Sequence, residues 1–132
     1  MHWVHLVIGL ALLQFFVFCM AVGRARGTYQ VPAPATTGNE VFERYFRVQM
    51  NTLELLVVFI PALLLFASYL SACWAAGVGA VYLIGRILYF RAYVKDPGSR
   101  SWGYGLSATP TLILLAGGII GVIVALVRHA AT

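Results

Sequence analysis

Four long apolar stretches separated by short polar breaks account for most of the chain, at roughly residues 3–23, 48–69, 72–93 and 104–127. Each reaches the ~20 apolar residues that a helix needs to cross a bilayer. The pattern predicts an all-α integral membrane protein, a four-transmembrane-helix bundle forming a single domain over residues 1–132. The break at Leu70, Ser71 and Ala72 is short enough to make the second and third spans an antiparallel hairpin. The first span lacks a basic leader, its apolar run is long, and Arg24 and Arg26 follow it, so it is expected to be a retained helix rather than a signal peptide.

The connections carry their own signals. Arg24 to Glu43 contains Y-Q-V-P-A-P-A-T-T-G-N, whose prolines and glycine predict an ordered, extended loop. Lys95 to Ser101 holds adjacent Pro97 and Gly98 and reads as a turn. Pro61 should kink the second span. Gly77, Gly79 and Gly85 in the third span, with Gly117, Gly118 and Gly121 in the fourth, predict close helix packing, within or between subunits.

One segment departs from the apolar pattern. The run E-R-Y-F-R-V-Q-M-N-T-L-E, residues 43–54, leads straight into the apolar stretch 55–67. Its polar groups must be paired or line a wet pocket, and ionisable groups at such depth point to a functional site. At about 100° per residue, Arg47, Asn51 and Glu54 fall within roughly a 60° arc of one helix face. Arg86, Tyr89 and Tyr93 repeat at i, i+3, i+7 on the third span, placing a cation and two phenols on one stripe. Cations, one carboxylate, an amide and phenols together suit a zwitterionic peptide. The plainer alternative makes Arg47 with Glu54, or Arg86 with a neighbouring carboxylate, ion pairs that hold the bundle together. Tyr89 and Tyr93 could likewise belong to an interfacial aromatic belt. Glu40 and Glu43 fit the start of the second helix, where negative charge meets the helix dipole.

Composition agrees with a membrane setting: of 132 residues, 61% are apolar and 10% charged, and the mean hydropathy is +0.88. The net charge of +5 is concentrated. Arg24, Arg26, Arg44 and Arg47 bracket the first connection, and Arg86, Arg91, Lys95 and Arg100 surround the third. Those connections share one side, which the positive-inside bias places in the cytoplasm, of the inner membrane in a bacterial cell. No nucleic-acid motif accompanies the basic residues, so orientation and an anionic or lipid partner are the better readings. Cys19 and Cys73 have neither metal nor disulfide spacing, and no metal site is expected.

The run E-R-x-x-R-x-Q-x-N-x-x-E, followed by R-x-x-Y-x-x-x-Y and then Arg100, resembles the MAPEG family, the membrane-associated proteins of eicosanoid and glutathione metabolism. P-A-P-A-T-T-G before the run and Y-L-I-G-R-I-L-Y-F-R-A-Y in the third span extend the resemblance along nearly the whole chain. It implies a homotrimer of four-helix bundles that binds glutathione between adjacent subunits. It makes Arg47, Asn51 and Glu54 glutathione ligands, with Glu54 on the ammonium group and arginines on the carboxylates. Arg26, Gln49, Arg86, Tyr89 and Tyr93 match further glutathione-lining positions. Arg100 matches an arginine that stabilises the thiolate, and Ser101 is a second candidate for that work, or else a cap for the fourth helix. Gly27 and Leu55 stand where the lipid-mediator-forming pattern has arginine and tyrosine, and Val57 takes a proline position common in the family, with Pro61 one turn later.

The resulting expectation is a membrane glutathione transferase acting on hydrophobic electrophiles or lipid hydroperoxides that arrive from the bilayer. The thiolate is the nucleophile and needs a nearby cation, because a free thiol is mostly protonated near neutral pH. Two alternatives remain: a noncatalytic lipid-binding member of the family, and a small exporter that uses Glu54 as proton carrier.

Overall fold

The computed structural model describes residues 1–132. Helices α1 (His2–Tyr29), α2 (Glu40–Tyr69), α3 (Ala72–Lys95) and α4 (Ser101–Ala130) follow one another, with a single 3-10 turn at Pro97–Ser99 before α4. All four are long and apolar enough to cross a membrane. Helices α2 and α3 form the centre of the bundle, each packed against both α1 and α4.

The helices overrun the apolar stretches. At 1.5 Å per residue, α2 with its 30 residues is about 45 Å long, against a hydrocarbon core of ~30 Å. Residues 40–43, expected in the extended first connection, belong to α2 instead. Likewise α1 continues through Arg24 and Arg26 to Tyr29. The extended part of the first connection shrinks to residues 30–39. Helix formation wins at these margins because each added residue closes a backbone bond on an existing helix, whereas the prolines act only at Pro32 and Pro34.

The ends are locally determined. Gln30 turns left-handed at φ 55°, and the Val31 amide donates to the Arg26 carbonyl at 3.0 Å. Asn39 begins α2 by accepting the Phe42 amide at 3.0 Å, with Glu40 and Glu43 in the first turn. Ser71 begins α3 by accepting the Trp74 amide at 3.3 Å. Pro61 is accommodated inside a continuous α2.

The main apolar core joins Val4, Val7 and Ala11 of α1, Leu56, Phe59 and Leu63 of α2, Tyr82 of α3 and Leu114 of α4. Phe59 and Tyr82 stack with ring centroids 3.7 Å apart. Near the basic end, α3 and α4 cross on glycine. A Cβ on Gly85 would come within 2.6 Å of the Leu106 backbone carbonyl carbon, and one on Gly103 would overlap the Tyr89 backbone. Gly117, Gly118 and Gly121 admit Phe66, Leu65 and Tyr69 of α2, while Gly79 admits Val7 of α1. These close approaches lie within the chain; only Gly77 of the six glycines singled out has open space at its Cβ position.

Candidate functional site

The crossing of α3 and α4 brings Tyr89, Tyr93, Arg100 and Ser101 together at the basic end, opposite Arg47 and Asn51 of α2. These six, with Tyr104 and Gly105, line a cavity of about 590 Å³. Its polar wall is built almost wholly of hydrogen-bond donors: two guanidinium groups, an amide, three phenols and a hydroxyl. Arg47 and Tyr93 also border a second, more open cavity with Glu40, Glu43 and Arg44. On the outer side of α3 and α4, an apolar groove of about 530 Å³ runs from Trp102 past Leu106 to Ile113, and Ser101 and Gly105 line it as well.

Each cation is held differently. Arg47 Nη1 lies 3.2 Å from Glu54 Oε1, with both side chains more than half exposed, so this ion pair exists and faces outward. Arg100 Nη1 donates to the Pro97 carbonyl at 2.7 Å, which ties the guanidinium to the 3-10 turn. Ser101 opens α4 with Arg100 in the preceding capping position, and no side chain caps this helix. Its hydroxyl is left to the cavity and the groove. Arg44 pairs with Glu40 at 3.0 Å and donates to the Val94 and Lys95 carbonyls, binding the start of α2 to the end of α3.

Arg86 is fully buried and does not line the cavity. Its Nη1 donates to Asn51 Oδ1 at 2.8 Å and to Thr52 Oγ1 at 3.3 Å, and its Nη2 donates to Ser107 Oγ at 2.8 Å. The guanidinium carbon stands 4.3 Å from the Tyr89 ring centroid. No carboxylate reaches it, so the alternative of an Arg86 ion pair gives way to neutral oxygens and aromatic faces.

Three other residues expected at the site lie outside the cavity of their own chain. Arg26 donates to the Val31 and Ala35 carbonyls at 3.3 and 2.6 Å and covers the Phe42 ring, organising the first connection. Gln49 donates to Cys19 Sγ at 3.2 Å across to α1. Glu54 stands one helical turn beyond Asn51, held by Arg47. Conversely, the structure gives roles to Tyr104, Thr52 and Ser107, which the motifs in the sequence do not include. Tyr104 follows Arg100 by four residues, in the first turn of α4, and its amide donates to the Arg100 carbonyl at 3.0 Å, a spacing visible in the sequence. Thr52 and Ser107 are visible only through the need of Arg86 for acceptors.

The MAPEG family model matches residues 4–120. Among curated relatives, an uncharacterised protein of Synechocystis sp. is 46% identical over 121 residues, covering 92% of this chain and 88% of its own. Microsomal glutathione S-transferase 2 of Homo sapiens is 37% identical over 113 residues, 86% of this chain and 77% of its own. Leukotriene C4 synthase of Cavia porcellus is 36% identical over 112 residues, 85% of this chain and 74% of its own. With the four apolar helices and the polar cavity at their basic end, these matches identify the chain as a multi-pass membrane protein that belongs to the MAPEG family.

Proposed function

We propose that the protein is a membrane glutathione transferase that joins the thiolate of glutathione to hydrophobic electrophiles, with reduction of lipid hydroperoxides as a second activity of the same site. The observation that carries this reading is the contact between two unlike spaces. A donor-rich cavity and an apolar groove share Ser101 and Gly105. A polar thiol held in the first and an apolar acceptor lying in the second would meet at that shared wall, which brings reactants of opposite solubility together. The cavity volume of about 590 Å³ lies in the usual small-molecule range of ~300–1,000 Å³. The printed names of the human and guinea-pig relatives support glutathione as the cosubstrate.

In the proposed mechanism, Arg47 and Asn51 hold carboxylate and peptide oxygens of glutathione, and Glu54 takes its ammonium group. Arg100 lines the cavity and stabilises the thiolate, with Ser101 as a hydrogen-bond donor to sulfur. Thiolate attack on an aryl or alkyl carbon forms the carbon–sulfur bond and expels the leaving group with its electron pair. Glutathione brings the nucleophile. A homotrimer with the site shared between subunits accounts for Arg26, Gln49 and Glu54 lying outside the cavity of their own chain. The basic connections face the cytoplasm in this arrangement.

The test is activity with glutathione and a generic aryl halide in detergent or nanodiscs. Saturable, glutathione-dependent conjugate formation is expected. Glutathione binding without conjugation of any electrophile, or reduction of any hydroperoxide, would instead make the chain a lipid-binding scaffold.

A further inference from the structure

Arg86 is the largest fully buried side chain in the molecule, and it is a cation with no ion-pair partner. Removing such a charge from water is costly unless its hydrogen bonds are met. Here both terminal nitrogens are met, in a way that leaves no choice of polarity, while Nε has no partner. Thr52 Oγ1 donates its only hydrogen to the Val48 carbonyl at 2.8 Å, and Ser107 Oγ directs its own to the Gly103 or Tyr104 carbonyl, at 2.7 and 3.1 Å. Both hydroxyls therefore act solely as acceptors toward Arg86. A guanidinium can only donate, so the third partner, Asn51, must turn its carbonyl oxygen to Arg86. Its NH2 group is then fixed on the other side, and Asn51 lines the cavity.

We propose that Arg86 is a positioning residue which, from behind the cavity wall, locks the Asn51 amide with both hydrogens available to the bound ligand. The role rests on the proposed glutathione site, and it replaces direct contact between Arg86 and ligand. Asn51 without this lock would present its oxygen or its nitrogen to the cavity at nearly equal cost. An oxygen turned inward would repel the carboxylate and carbonyl oxygens of the tripeptide. Lysine cannot reproduce the arrangement, because a single ammonium lacks the planar fork that reaches Asn51 and Ser107 together.

A double-mutant cycle on glutathione affinity tests the role, using the full chain in nanodiscs with Arg86→Met, Asn51→Ala and the pair. Arg86→Met should weaken binding by about tenfold, as expected for a charge-assisted hydrogen-bond system. In the Asn51→Ala background the same change should have almost no further effect, because Arg86 acts through Asn51. Losses that multiply would overturn the proposal. Asn51→Asp provides a second arm that does not depend on Arg86→Met folding. Its carboxylate gives Arg86 an ion pair and preserves the melting temperature, yet removes both amide hydrogens, so glutathione binding should fall at least tenfold. Undiminished binding by Asn51→Asp would reduce Arg86 to a purely structural role. Wild type that fails to bind glutathione removes the functional reading and this role together, whereas wild type that binds while the losses multiply removes this role alone.

Discussion

At the residue scale, the polar groups of α2 and α3 divide between ligand-facing and structural work, and exposure separates them. Arg47 and Glu54 are paired but more than half exposed, 52% and 58%, so the pair itself contributes little to folding. Its value lies in being available. Glu54→Gln and Arg47→Ala should each reduce glutathione affinity by on the order of 1.5 kcal/mol, the lower end for hydrogen bonds to charged groups. Expression and melting temperature should stay near wild type. Isothermal titration with glutathione checks this, and unchanged affinity in both folded variants would return the pair to a bundle-holding role. The face shared by Arg47, Asn51 and Glu54 was legible from spacing alone, since 3.6-residue periodicity fixes it. The burial of Arg86 was not. A guanidinium at that position can face a cavity or the protein interior, and the choice depends on hydroxyls 34 and 21 residues away in the chain, Thr52 and Ser107.

At the element scale, hydropathy located all four helices and missed their polar ends. The margins 24–29 and 40–47 are rich in polar residues, so a hydropathy window loses the signal although the helices and their caps persist. Tryptophans mark the two edges of the bundle: Trp3 and Trp74 at one, Trp102 at the other, all strongly exposed. The glycine pattern announced close packing but could not assign partners. Gly85 and Gly103 turn out to set the α3–α4 crossing on which the cavity rests. Gly103→Ala places a methyl group on the Tyr89 backbone, which has no rotamer with which to yield, and overpacking of this kind costs about 1–3 kcal/mol. Its melting temperature should fall clearly below wild type, with glutathione binding impaired because Tyr89 and Arg100 separate. Gly77→Ala, which meets open space, serves as the control and should match or exceed wild type. Equal melting temperatures for both variants would show that α3 and α4 do not depend on this contact.

At the scale of the whole molecule, the exterior bears long apolar faces on every helix, including Leu13 and Phe16 of α1, Val57 of α2, Ile84 of α3, and Leu112 and Ile120 of α4. Such faces suit lipid, and in the proposed trimer part of them would meet neighbouring subunits. The cavity opens at the bundle surface, and four of the residues expected to bind glutathione stand outside it in their own chain, three of them, Arg26, Gln49 and Glu54, away from the buried core, which suits a shared site. Native mass spectrometry of the protein released from detergent should therefore give the mass of three chains, and glutathione should raise the resistance of that species to dissociation. A monomer that binds glutathione with full affinity would confine the site to one chain. Membership in the family and the bundle architecture were both readable from motifs along the chain. The number of subunits is not written in any periodicity, because lipid-facing and subunit-facing residues are equally apolar.

The claim on which the account turns is that glutathione is held as a thiolate beside Arg100. Ultraviolet absorbance of the thiolate during a pH titration of the glutathione complex measures this directly. A free thiol of this kind titrates at about 8.5. The bound thiol of the wild type should ionise well below that value, so the thiolate signal is present at neutral pH and is lost as pH falls through the lowered pKa. In Arg100→Ala the midpoint should rise by about one pH unit, equivalent to ~1.4 kcal/mol of lost thiolate stabilisation, while glutathione affinity falls by a smaller factor. A wild-type titration indistinguishable from that of free glutathione, or a midpoint unmoved by Arg100→Ala, would contradict the account.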